Sequence, residues 1–458
     1  MFEVLLVLTA APLLGSMVAA YTRYRDPLHP IMITGPLMLY GYVVAPLQLL
    51  IGGRLAEFFP DPWQLEFVQG FYALGVWAFC LGMMSATSRQ APLRAGSVLG
   101  GRFTNPAAAE RAKLWWLALV LGSVSLAAYA FGIMRAGGLV AAYSVVKGGA
   151  SAGSGYVGDA QMLAYPAIAL LALSRQRLRL RAPDVALALL FALPNLLQGT
   201  LGGRRGPLFL VLTALFLAWW LAAGRRPSMR VVLGAMAAVL IAVVLMWSQR
   251  RNLFLGSERD FDPESVAAHL LQRDAGVEHF YIYGAGLMLH VRYHQSFQWG
   301  WRYFVTYLVR PIPRQIWPTK YEDMDQAWED MGGSTAGRSE EDWVESVGWI
   351  PVAGSGSGVL SDVFSEFSWG GAVVALLLGR LLGWLWRRRT DEGGLWGVLF
   401  LEACILSIYL PTQSLAAFLQ RFLFMSIPTA LAWRLVFGLS RPRAGETGKV
   451  LPPAGGGA

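Results

Sequence analysis

Cysteine is almost missing from this sequence: 458 residues carry two, Cys80 and Cys404, both inside apolar runs. A disulfide-stapled secreted domain and a cysteine-based zinc site are thereby excluded, and the pair reads as small buried hydrophobes. Charge is scarce as well. Asp, Glu, Lys and Arg make up 15 % of the chain, hydrophobic residues make up 55 %, and mean hydropathy is +0.45. Soluble domains run at roughly 25 % charged and 45–50 % apolar, so a soluble enzyme and a disordered chain are excluded too. No P-loop, dinucleotide fingerprint, kinase signature or nucleophile elbow occurs, nor any repeat at solenoid periods.

What is present is a succession of apolar runs, each near the length a helix needs to cross a hydrocarbon core of about 30 Å. Bounded by charge, Gly or Pro, they fall at 2–22, 32–52, 66–86, 114–134, 161–174, 183–199, 207–223, 231–248, 358–386, 395–410 and 414–438. The chain reads as an all-α polytopic membrane protein with about eleven transmembrane helices. The fifth run is short, and the ninth is long enough to be tilted or broken. The first lacks a positive n-region and a small-residue cleavage site, and reads as a retained helix. The organisation is then helices one to eight in 1–248, a long loop at 249–357, the last helices in 358–438 and a disordered Pro- and Gly-rich tail at 439–458.

The formal net charge of +9 belongs to topology and not to nucleic-acid binding. With the N-terminus outside, alternate short loops and the C-terminal tail collect most of the arginines: Arg23 and Arg25; Arg89, Arg94, Arg102 and Arg111; Arg175 to Arg181; Arg225, Arg226 and Arg230; Arg387 to Arg389; Arg441 and Arg443. The opposite loops hold only Arg54, Arg135, Lys147, Arg204 and Arg205. The positive-inside rule therefore expects an N-terminus on the outer side and a C-terminus in the cytoplasm.

The long outer loop breaks the regularity, and loops of this length are uncommon unless functional. It holds His269, His279, His290 and His294, four of the five histidines. Segment 263–274 reads as an amphipathic helix, and the aromatic segment 276–309 as interfacial or re-entrant helix, with an aromatic belt at the headgroup level as the plainer explanation. Next comes Arg310-Pro-Ile-Pro-Arg314-Gln-Ile-Trp317-Pro-Thr-Lys320, where three prolines forbid a regular helix and stiffen the path. Cations fixed on such a path at the interface suit a diphosphate, because guanidinium forks bind phosphate oxygens bidentately. The turn 199–207 offers a second basic site, Arg204 and Arg205, among glycines; Arg250 and Arg251 at the mouth of the eighth run can join it.

Charges inside spans are expensive and usually functional. Arg421 in the last run and Glu402 in the preceding one read either as an ion pair or as ligand-facing charges. Asp362 and Glu366 stand four apart at the start of the ninth run, hence on one helix face, as candidate general bases or as acids favoured at a helix N-terminus. His294 is a further candidate base. It shares four-residue spacing with His290, but no further ligand completes a metal signature, so no metal and no cofactor is expected.

With its long outer loop in the C-terminal half, GGRRGPLF at 202–209, RPIPRQIWPTK at 310–320 and SDVFSEFSWGG at 361–371, the chain resembles bacterial O-antigen or exopolysaccharide repeat-unit polymerases (the Wzy type). The resemblance implies a GT-C-like membrane glycosyltransferase that needs no metal. Its substrates would be undecaprenyl-diphosphate-linked oligosaccharides among membrane lipids, its partner a chain-length regulator of the Wzz type. It implies diphosphate contacts by Arg204, Arg205, Arg310, Arg314 and Lys320, to which the residues themselves add Arg250 and Arg421. An O-antigen ligase of similar architecture, relying on a loop histidine, is the nearest alternative. A flippase for lipid-linked oligosaccharide is the alternative from another class, though no internal repeat speaks for it.

Overall fold

A computed structural model of the chain describes residues 1–87, 108–144, 149, 156–175, 178–223, 227–248, 276–334, 337, 339–352 and 355–438. The predicted helix 263–274, Arg250, Arg251, His269 and the tail 439–458 lie outside the described residues. Among the described residues every regular element is helical.

Eight longer helices precede the long loop among the described residues, with three short ones (Leu55–Phe58, Leu139–Tyr143 and Tyr156–Asp159) between them: α1 (Phe2–Tyr24), α2 (Pro30–Ile51), α3 (Pro62–Thr87), α4 (Ala108–Arg135), α5 (Ala160–Ser174), α6 (Ala182–Thr200), α7 (Arg205–Ala223) and α8 (Met229–Ser248). Within the loop follow α9 (Phe280–His294), α10 (Trp301–Phe304, continued by a π-helical turn Val305–Val309), α11 (Lys320–Asp330) and α12 (Glu340–Val347). The chain then forms α13 (Val359–Phe367), α14 (Gly371–Asp391), α15 (Leu395–Thr412) and α16 (Leu415–Phe437). Each of the apolar runs in the sequence is helical, and among the described residues nine helices are long and apolar enough to cross a membrane. The protein is therefore an all-α, multi-pass membrane protein.

The ninth run is broken. Ser368 takes a left-handed backbone (φ 51°), which ends α13 and lets α14 restart after a short 3-10 turn. Glycine decides how α14 packs. Gly379 and Gly383 stand four apart and face α3, whose Gly82 faces α14 in return; a Cβ built on Gly379 would lie 2.1 Å from the Phe79 carbonyl oxygen, and one on Gly82 2.0 Å from that of Leu376. Small residues of this kind let helix backbones touch where lipid supplies no hydrophobic drive.

Proline inside α2 shows how the bundle repairs a broken backbone ladder. Pro46 has no N–H for the carbonyl of Tyr42, one turn back. Gln69 of α3 fills the vacancy, its Nε2 donating to that carbonyl at 3.0 Å and to Thr9 Oγ1 at 2.8 Å, while Tyr281 Oη of α9 donates to Gln69 Oε1 at 3.1 Å. A buried residue near the start of α9 is thus tied to the middle of the bundle. The aromatic segment does not lie loosely on the surface: Tyr281, Ile282, Ala285 and Met288 are buried.

At the end of the bundle away from the loop, Asp26 and Arg389 form a fully buried ion pair at 3.3 Å. Trp386 Nε1 donates to the same carboxylate at 3.1 Å, and His29 stacks on Tyr24 beside it. Burial lowers the His29 pKa to about 3, so the ring packs there as a neutral aromatic.

Candidate functional site

Asp362 and Glu366 share one face of α13, as their spacing predicts, and both are completely buried. What they meet there is Arg302, on α10. Its Nε donates to Glu366 Oε1 at 2.7 Å and its Nη2 to Asp362 Oδ1. The second oxygen of each acid anchors a helix N-terminus, where negative charge is favoured. Gly300 N donates to Glu366 Oε2 at 3.0 Å at the start of α10, and Leu415 N to Asp362 Oδ2 at 2.9 Å at the start of α16. Tyr303 Oη donates to Asp362 Oδ2 at 2.7 Å. All four carboxylate oxygens are engaged and both acids are sealed from solvent, so neither is presented to a substrate hydroxyl. They hold Arg302 and two helix ends in place.

The approach of Arg302 depends on local backbone. Gln295 ends α9 in the left-handed region (φ 50°), and Trp299 and Gly300 (φ 47° and 87°) reverse the chain before α10. The Trp299 N–H then donates to the Glu366 carbonyl at 2.7 Å, which fixes the turn to α13. Burial works against the charge of Arg302, but the two carboxylates outweigh it and hold its pKa above the ordinary guanidinium value. The same guanidinium is partly open on its other side, with 43 % of the side chain exposed.

That open side faces a cleft of about 310 Å³. Arg302, Thr306 and Arg310 line it from one face of α10 and its π turn, and Ser414, Ala417, Gln420 and Arg421 line it from α16. Asp159, from a short helix before α5, closes it. Arg310 Nη1 donates to Gln420 Oε1 at 2.9 Å, and Arg310 Nη2 lies 3.9 Å from Asp159 Oδ2. Arg421 lies over the Tyr409 ring at 4.6 Å. Burial pushes the Asp159 carboxyl above the usual aspartate range, with Arg310 and Arg421 pulling it back. Three guanidinium groups and one carboxylate line the cleft, with the Asp362 and Glu366 carboxylates directly behind Arg302. π-helical turns are frequently found at functional sites, and this one sets the register between Arg302 and Arg310.

Of the residues singled out in the sequence, Arg310 and Arg421 meet in this cleft. Arg204 lies close by: it faces Tyr143, and a Cβ on neighbouring Gly206 would sit 3.6 Å from the hydroxyl of the Tyr409 that stacks on Arg421. Arg205 is the first residue of α7.

Lys320 is elsewhere, buried, with its ammonium donating to the carbonyls of Val309 and Arg310 at 3.2 and 2.9 Å and to that of Ile312. It pins the proline turn and has no donor left for a phosphate. Arg314 is exposed, over Tyr321 at 5.3 Å, outside the cleft. His294 Nε2 meets the Asp342 carbonyl at 3.1 Å, and His290 is held by Ser346 and Gly337 while stacking on Trp343 at 4.1 Å. His279 caps α9. None of these three lines the cleft. The metal-like grouping among the described residues is His294, Asp342 and Glu345, not the His290–His294 pair. Nor do Arg421 and Glu402 pair: Glu402 is buried beside Thr429, and Arg421 lies over Tyr409.

Arg302 and Asp159 are the members the sequence reading missed. The spacing Arg302, Thr306, Arg310, one helical face with an arginine at each end, is the signal that locates Arg302. Asp159 has no such signal. Fold and site together define a multi-pass helical membrane protein with an arginine-walled cleft at one end of its bundle. Compared with known protein families, curated proteins and solved structures, the chain matches none.

Proposed function

We propose that this protein is a membrane glycosyltransferase that polymerises lipid-linked oligosaccharide repeat units. It transfers the growing glycan from undecaprenyl diphosphate to the non-reducing sugar of an incoming undecaprenyl-diphosphate-linked unit. The observation that carries this reading is the convergence of Arg302, Arg310 and Arg421 on one cleft beside a single carboxylate. As the sugar–phosphate bond breaks, negative charge builds on the leaving diphosphate, and preorganised guanidinium groups stabilise it where it develops. The acceptor hydroxyl forms the new bond to the sugar and gives up its proton to Asp159. A carboxyl with a raised pKa suits that role, since general bases work best near the operating pH.

In this reading the chain crosses a bacterial inner membrane eleven times, with its N-terminus and the cleft on the periplasmic side and its C-terminus in the cytoplasm, as the arginine distribution favours. The aromatic helix α10, which buries none of its side chains, forms a shelf for two lipid-anchored substrates, and a chain-length regulator binds in cells. A ligase acting through His279, His290 or His294 is less well supported, because these three histidines of the described residues are engaged in packing.

The test is purified protein in nanodiscs with a lipid-diphosphate-linked repeat unit, EDTA present, products resolved by size. A ladder is expected. Transfer of one glycan only when a lipid A core is supplied makes the protein a ligase, and silence in both assays removes the transferase reading. The rate should rise with pH through a midpoint above the ordinary aspartate value of about 3.9, the direction set by the raised Asp159 pKa. Asp159→Asn should abolish that rise; an unchanged profile removes Asp159 from the mechanism.

A further inference from the structure

A second recess lies between the C-terminal ends of α3 and α14, at the end of the bundle opposite the arginine cleft. It measures about 550 Å³ and is lined by Ser85, Leu377, Arg380, Trp384 and Arg387. Helices α3 and α14 run parallel here, since Phe79 meets Gly379 and Met83 meets Gly383. The recess opens outward. Leu81, Val373 and Leu377 on the surrounding surface are 58 %, 60 % and 56 % exposed, and such apolar side chains face lipid in a membrane protein.

The arginines of this segment are not equivalent. Arg389 turns inward to Asp26, and Arg388 pairs with Glu392. Arg387 makes no side-chain hydrogen bond or ion pair among the described residues, and it points to the recess. Arg380, two turns deeper on the same face, reaches only Ser85 Oγ among the described residues, at 3.4 Å. It lies about 16 Å from the helix end at Asp391, at ~1.5 Å per residue. An arginine at that depth on a lipid-facing surface is costly unless its guanidinium rises to the interface and finds an anion. Trp384 stands between the two, and tryptophan marks the headgroup level.

From this we infer a binding site for one anionic phospholipid. Its phosphodiester is held between Arg380 and Arg387 against Trp384, and its acyl chains run down the groove between α3 and α14. The site is distinct from the cleft and independent of the reaction proposed there. Free phosphate shares the headgroup chemistry, but the apolar flanks of the groove favour a lipid.

Native mass spectrometry of the detergent-purified, delipidated protein tests this, with phosphatidylglycerol or phosphatidylcholine titrated in. Wild type should take up phosphatidylglycerol at least fivefold more readily than phosphatidylcholine, and R380Q/R387Q should lose that preference while keeping its weak phosphatidylcholine adducts. Equal uptake of the two lipids by wild type, or an undiminished preference in the double variant, overturns the site. Displacement of phosphatidylglycerol by millimolar inorganic phosphate reassigns it to a free anion and overturns the lipid assignment. Should the double variant fail to fold, R387Q alone carries the test, since Arg387 holds no other group among the described residues, and the same loss of preference is expected.

Discussion

Replacing Arg302 by glutamine leaves Asp362 and Glu366, both 0 % exposed, without their cation. Removing one partner of a buried ion pair costs roughly 3–5 kcal/mol. Here the remaining partners, Tyr303, Leu415 N and Gly300 N, soften the loss, and the exposed flank of the arginine admits water. These place the effect at the lower end, about 3 kcal/mol. At ~2 °C per kcal/mol this is a fall of roughly 6 °C in Tm, measured by tryptophan fluorescence of the detergent-purified protein. The triple variant R302Q/D362N/E366Q removes the stranded charges and keeps amide oxygens to accept from the Leu415 and Gly300 N–H groups, so it should recover more than half of the lost stability. Transfer should stay lost, because no guanidinium faces the cleft from that position. An R302Q variant that melts like wild type, or a triple variant no better than R302Q, refutes the view that this arginine is the counter-charge of α13.

Gly379→Leu should prevent folding, because its side chain must enter space 2.1 Å from the Phe79 carbonyl oxygen; overpacking of this kind costs about 1–3 kcal/mol or more. Size-exclusion profiles read the outcome, with Gly15→Leu, which meets nothing within 4 Å, as the tolerated control. Lys320→Met should cost roughly 2–3 kcal/mol by stranding buried carbonyls, whereas Arg314→Ala should leave stability and transfer near wild type; a kinetic defect in Arg314→Ala with normal melting would return that arginine to ligand binding. Burial lowers the His290 pKa, opposed by its bond to the Gly337 carbonyl, so the unfolded chain binds a proton first. Stability should therefore fall as pH drops below about 6.5, and hydrogen exchange in α12 should accelerate there, but not in His290→Asn.

The helices were legible because their signal is local. An apolar run of the right length needs no partner to be recognised, and the prolines after Arg310 announce a turn wherever they fall. Even the break in the ninth run is foreshadowed by its length. The site is another matter, because it is assembled from Asp159, Arg302, Arg310 and Arg421, and sequence spacing relates only the two that share α10. Depth along a helix can be counted from its ends, which is why Arg421 and Glu402 read either as a pair or as ligand-facing charges; their directions around the helix axes are set by packing, and only Arg421 lines the cleft. Nearness in sequence misled for Lys320, because the turn that carries Arg310 to the cleft closes back on the lysine and consumes its donors. The carboxylates of α13 hold the most transferable lesson. Two acids on one face of a helix whose other residues are Val, Leu, Phe and two serines cannot be buried without a cation and several N–H or O–H donors. Their spacing is therefore evidence for an arginine elsewhere in the chain before it is evidence for a base. Among the loop cations, Arg302 leads the face 302–306–310 and stands in an aromatic stretch able to pack against α13, which makes it the residue that demand selects.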